Sequence, residues 1–208
     1  MGTKEKILQK SLDLFNANGT DAVTVRHIAA ELGMSHGNLC YHFPSTDALI
    51  QALYLQLVDK LDAAILRGQT GQQTEMNLSF LYNMTLTTYD LLNQYRFLML
   101  DFVHIMRRIA FIRSHYQQLT AARREQFLFL MYQLQQNGII RSNLSEQECN
   151  DWIALATLFG DFWLSNAAIL YAGEEVDKVM YYAQLFMRLG LPYLTEHGLN
   201  EWKRIVNS

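Results

Sequence analysis

Three features of this 208-residue chain predict an all-α fold. Half of its residues are hydrophobic and only two prolines, Pro44 and Pro192, interrupt it, so it can bury a sizeable helical core. Apolar residues recur at helical spacing, and strand-like alternation is scarce. Glycines and capping residues divide that pattern into segments of helical length.

Ile7, Leu8, Leu12 and Phe15 share one face of a first helix over about 3–17. Asn18-Gly19 stops it, because glycine enters the left-handed turn cheaply. Thr24 is placed to cap a second helix that turns Val25, Ile28, Ala29 and Leu32 inward, and Gly33 ends it. Ser35 caps a third, very short helix to His42, which Leu39 and Phe43 pin to the first two. Pro44-Ser45 breaks the chain again. Asp47 suits the positive end of a long fourth helix striped by Leu49, Leu53, Leu57, Leu61 and Ile65. Helices two and three, joined by Gly33-Met34-Ser35, form a helix-turn-helix, the unit that lays its second helix in a DNA major groove.

The polar stretch 67–73, with Gly68 and Gly71, reads as a linker. The aromatic-rich region beyond it predicts several packed helices, with breaks near Asn93-Gln94 and Met106–Arg108 and a close at Asn137-Gly138. Ser145-Glu146-Gln147-Glu148 is a capping box opening a helix to about Tyr171. Another helix spans about 174–189, ended by Gly190-Leu191-Pro192, and a short amphipathic tail follows. The domain reading is residues 1–48 as the helix-turn-helix head and 49–208 as a helical regulatory body.

Composition narrows the function classes. Cys40 and Cys149 have neither zinc-ligand spacing nor the density of a disulfide framework and read as reduced thiols. Lys4, Glu5 and Lys6 open the chain where a signal peptide would be apolar. Asp161, Ser165 and Asn166 interrupt the apolar run from Trp152 short of a membrane span. A soluble, cytoplasmic protein is expected. The net charge is −3, and residues 1–48 carry a formal balance of −1, where a DNA-binding domain usually shows a basic face. No phosphate-binding glycine loop or Ser/His/Asp arrangement appears, so neither catalysis nor a cofactor is expected. Asp101-x-x-His104 lacks the second motif that a di-metal bundle needs, so no metal is expected and a hydrogen-bonded Asp–His pair is.

The first 60 or so residues resemble the tetracycline-repressor (TetR) family of bacterial transcriptional regulators. The resemblance rests on Phe15-x-x-x-Gly19, Thr24-Val25-Arg26-x-Ile28-Ala29-x-x-Leu32-Gly33, Ser35-x-Gly37-x-Leu39-x-Tyr41-His42-Phe43 and Ser45-x-x-x-Leu49. It implies a homodimer that binds a palindromic operator and represses nearby genes until a small molecule enters the body. By position, Thr24 and Arg26 would meet DNA at the start of the second helix. Ser35, His36, Gly37 and Asn38 would face the major groove, and Tyr41, His42 and Thr46 would approach phosphates. Family members often carry tyrosine where this chain has Cys40 and lysine where it has Thr46, which removes phosphate contacts and should flatten the salt dependence of binding.

In the body, Phe80, Met84, Phe102, Met106, Phe127, Met131 and Phe162 exceed what a small bundle needs to fold. They are the expected lining of a pocket for a hydrophobic or aromatic effector. Six of the 17 basic residues lie between Arg96 and Arg124 and form either a solvated face or a seat for an acidic group. Leu155, Phe159, Trp163 and Met180 fit a dimer interface by family analogy and could equally be intrachain core. Two functions stay open: an effector-released repressor, and a small-molecule-binding helical protein whose DNA-binding head is vestigial.

Overall fold

The computed structural model describes residues 2–70 and 76–206, and among these it is helical with no strand. The head is built from α1 (Thr3–Asn18), α2 (Val25–Glu31) and α3 (His36–His42). Gly19 has φ 75° and lets its N–H close back onto Phe15 O, which ends α1. The Thr24 hydroxyl accepts from His27 N at 3.2 Å and the Ser35 hydroxyl from Asn38 N at 3.2 Å, so both predicted caps form. Ile7, Phe15, Ile28 and Leu39 are buried in one core with Leu49, Ile50 and Leu53 of α4 (Thr46–Thr70). That core runs on through Leu57, Tyr89 and Phe97 to Trp163, so α4 belongs to the head at one end and the body at the other.

The body continues through α5 (Leu78–Gln94), α6 (Arg96–Leu100), α7 (Phe102–Arg108), α8 (Ala110–Gln136), α9 (Glu146–Leu170), α10 (Lys178–Met187) and α11 (Glu196–Val206). Ser145 and Glu148 make the capping box of α9 reciprocally. A second core of Leu78, Met131, Leu134, Ile139, Ile140 and Trp202 seats α11 against the body. Gly198 is tight there, since a Cβ would stand 2.3 Å from Ile139 O.

The structure departs from the expectations in five places. The polar stretch 67–73 is not all linker: α4 runs to Thr70, and 71–75 lie outside the described residues. The segment between Gln94 and Arg108 breaks at Asp101 (φ −97°, ψ 19°) as well as at its ends. After Met187 the chain tightens into a 3-10 turn over Arg188–Tyr193, which accommodates Pro192. Asp101 and His104 do not pair with each other. Asp101 accepts from Thr20, and His104 Nε2 lies 3.3 Å from Asp21 Oδ1, because α7 packs on the head and both side chains find closer partners there. Finally, α9 is long and apolar enough, by length and composition, to cross a membrane despite its polar interruptions. Each interruption has a partner inside the chain: Asp161 with Tyr116, Ser165 with Met99 O, Asn166 with Tyr182.

Candidate functional site

On α3, Leu39 is buried, and the 3.6-residue period sets Gly37 and Tyr41 opposite it with Asn38 beside them. Tyr41 is 84% exposed, unusual for an aromatic ring with a core beside it. A Cβ on Gly37 would meet only open space. Thr24, Arg26, Ser35 and His36 are exposed as well, whereas His42 and Thr46 are half-buried. The His36 ring turns along its own helix, with Nε2 3.4 Å from Cys40 Sγ.

The acidic balance of the head is neutralised in three dimensions. Glu31 pairs with Lys10 at 3.3 Å, and Glu5 accepts from the Gly2 backbone N–H. Arg108, reaching up from α7, lies 3.5 Å from Asp21 and 2.6 Å from Asp47 Oδ1, the latter without hydrogen-bond alignment.

The body holds a cavity of about 470 Å³ between α4, α5, the α6–α7 segment, α8 and α9. Helix α9 lines it with Ile153, Ala156, Thr157, Gly160 and Asp161, an i, i+3, i+4, i+7, i+8 face. Phe102, Met106 and Phe127 also line it. A second cavity of about 220 Å³ is lined by Met84, Met131, Trp152 and Met187, and shares Thr88, Tyr89, Phe127 and Phe186 with the first. Two predicted lining residues touch neither. Phe80 is buried, but α5 turns Leu81, Met84, Thr85 and Thr88 to the cavities, a face that leaves Phe80 off it. Phe162 lies one residue beyond the lining face of α9 and meets Phe102 edge-on at 5.8 Å.

The polar groups of the larger cavity were not singled out as lining by the sequence. Tyr116 Oη donates to Asp161 Oδ1 at 2.6 Å, and Tyr54 Oη is 2.9 Å from His115 Nδ1. Burial pushes the Tyr54 hydroxyl up to about 12 and raises Tyr116 and Tyr89 further. Burial also raises the Asp161 carboxyl, partly offset by the Tyr116 hydrogen bond. The signal available in the sequence was Asp161 itself, the one acid in the apolar run from Trp152 to Leu170.

Two family models match this chain. One, described as "Bacterial regulatory proteins, tetR family", covers residues 7–53, and the other, "Bacterial transcriptional repressor", covers residues 51–202. The chain belongs to the TetR family. HTH-type transcriptional regulator UidR of Escherichia coli (strain K12) is 37% identical over 54 residues, 26% of this chain and 28% of that protein. The match thus spans little more than a quarter of the curated relative. Among solved structures, a TetR-family transcriptional regulator from Marinobacter aquaeolei VT8 superposes with a TM-score of 0.86 at 24% identity, over 100% of this chain and 97% of that one. A transcriptional regulator from Saccharomonospora viridis, solved in complex with choline, superposes at 0.69 with 18% identity, over 93% and 98%.

In this TetR-family chain the α6–α7 segment touches both regions. Leu98, Met99, Phe102, Ile105 and Met106 line the larger cavity. From the same segment, Asp101 accepts from Thr20 N at 2.9 Å and Thr20 Oγ at 2.7 Å, and His104 and Arg108 hold Asp21. Asn16 adds two bonds, to Gln94 O and Phe97 N, and Phe15 stacks on Phe97 at 5.1 Å.

The residues predicted for a dimer interface separate. Leu155 and Met180 are exposed. Trp163 is 2% exposed, stacked on Tyr89 at 4.8 Å, and packs in the intrachain core. Phe159 is half-buried between Tyr182 and Phe186. The face that α9 leaves uncovered is Leu155, Leu158, Phe162 and Ile169, which recur on one side of the helix.

Proposed function

We propose that this TetR-family regulator is a cytoplasmic homodimeric repressor without catalytic activity, released from a palindromic operator by a small hydrophobic or aromatic effector. The observation that carries the reading is the double contact of α6–α7: one face lines the cavity and the other holds Thr20 and Asp21 of the head. A ligand that moves Phe102 or Met106 moves Asp101 and Arg108 with them, since α7 is a helix of only 7 residues, about two turns. The head then tilts on α4, and two α3 helices in a dimer no longer meet half-sites one DNA turn apart. The Saccharomonospora viridis regulator, which shares this fold, was solved in complex with choline, which supports a small-molecule ligand for this chain.

DNA contact falls to Gly37, Asn38 and Tyr41 on the outer face of α3, with Thr24, Arg26, Ser35, His36, His42 and Thr46 at its margins. Asn38 can offer adenine a bidentate amide pair, and the Tyr41 hydroxyl suits a phosphate. Pairing of the dimer falls to the uncovered face of α9 with Val176, Met180 and Tyr181, an apolar surface that water does not favour.

Selection of the purified protein against a random duplex library at two salt concentrations tests the reading. Enrichment of a palindrome, lost in Y41A and N38A, is the expected result. A folded dimer that enriches nothing at low salt would instead identify a ligand-binding protein with a vestigial head.

A further inference from the structure

The larger cavity carries one charge without a counter-charge. Asp161 lines it, and the only hydrogen bond the carboxylate receives among the described residues comes from Tyr116. The two arginines of the wall are already paired: Arg123 with Asp62, and Arg124 with Glu125 and Asn150. A carboxylate held in an apolar wall is costly until a cation joins it.

Aromatic rings line the same cavity. Phe102 meets Tyr116 edge-on at 5.2 Å, and Tyr54, Tyr89, Phe127 and Phe186 complete the wall. Their faces attract cations and accommodate apolar groups equally. Tyr89, 3% exposed, lines both cavities, and its hydroxyl has no hydrogen-bond partner among the described residues. The wall shared by the two cavities therefore holds a buried polar group of its own, besides Thr88.

We propose that the effector is a lipophilic cation, an amine or quaternary ammonium. Its charged head pairs with Asp161, and its apolar body passes Phe127 and Phe186 into the second cavity. An anionic ligand would be repelled by Asp161 and would find both arginines occupied. A neutral ligand would leave the carboxylate uncompensated. The inference rests on the cavity being the effector site, and its test reads ligand binding without DNA, so that its failure is separable from failure of the operator reading.

The test is calorimetric titration of the full chain with octyltrimethylammonium, octyl sulfate and 1-octanol, each below micellar concentration. The cation is expected to bind at least tenfold tighter than the other two, and butyltrimethylammonium at least tenfold weaker than its octyl homologue. In D161N, which keeps an acceptor for Tyr116, the cation should fall to the affinity of the alcohol. In Y116F, which keeps the carboxylate, its preference should persist. Equal or tighter binding of octyl sulfate or octanol overturns the proposal, as does a cation preference that survives D161N. Silence of all three octyl probes also overturns it, while leaving the operator selection unaffected. Equal binding of the butyl and octyl cations overturns the path into the second cavity.

Discussion

Asp161 makes the stability of the fold depend on pH. Burial holds its carboxyl above the usual range, so the folded chain retains the proton more readily than the unfolded one. A raised folded value contributes stability that is fully present below the ordinary carboxylate range, about pH 4, and is lost as pH rises through the folded value. D161N should therefore melt higher than the parent at neutral pH, with the gain shrinking toward about pH 4. Calorimetric melts at both pH values check this, and a gain independent of pH would refute burial as its cause. Tyr41 should behave in the opposite way. With its ring in solvent, Y41A should alter stability by no more than about 0.5 kcal/mol, yet lose the selected duplex in a binding titration. Ser35 sits between these cases, because its hydroxyl satisfies the Asn38 N–H. S35A should cost about 1 kcal/mol in denaturant unfolding, so any loss of DNA binding has to be read after correcting for folding.

Helix α7 is the element whose two faces meet different neighbours. Asp101 accepts from both donors of the buried Thr20, the N–H and the hydroxyl, so truncating it leaves an N–H without its acceptor, at a cost of about 1–3 kcal/mol. D101A should keep its affinity for a cavity ligand, since Asp101 does not line the cavity. The ratio of operator affinities with and without that ligand should move toward one. A D101A protein that releases DNA as fully as the parent would place the coupling elsewhere, with α4 the next element to test, because Tyr54, Leu57, Val58 and Leu61 also line the cavity. Helix α9 likewise serves two surroundings: its inner face holds Asp161 and Gly160, and its outer face carries Leu158 and Ile169.

At the scale of the whole molecule, the proposed dimer depends on the exposed apolar face of α9. Ile169 is 81% and Val176 85% exposed, beside Leu155, Leu158 and Met180. I169D should shift sedimentation from dimer to monomer while the monomer keeps its helical signal, since the side chain contributes nothing to the intrachain core. Operator binding should fall steeply with it, because one half-site supplies only half of the phosphate contacts. A variant that remains dimeric would move the interface off α9.

The amino-acid sequence by itself determined what depends on near neighbours along the chain. Thr24, Ser35 and the Ser145–Glu148 box mark helix starts because their side chains reach N–H groups within three residues. Gly19 and Gly138 mark stops because a positive φ is a property of one residue. The helix-turn-helix is a run of such local signals, and so the all-α class, the head and the family could be read from order alone. Tertiary structure decided what depends on residues far apart. The break at Asp101 answers to Thr20, 81 positions away, and the pairing of Asp21 and Asp47 answers to Arg108. Trp163 sits in the core because Tyr89 stacks on it, and Phe80 misses the cavities because of the rotation of α5. Periodicity states which face of a helix is apolar. Whether that face meets core, ligand or a second copy is set by the elements packed opposite, and only the folded chain brings those together.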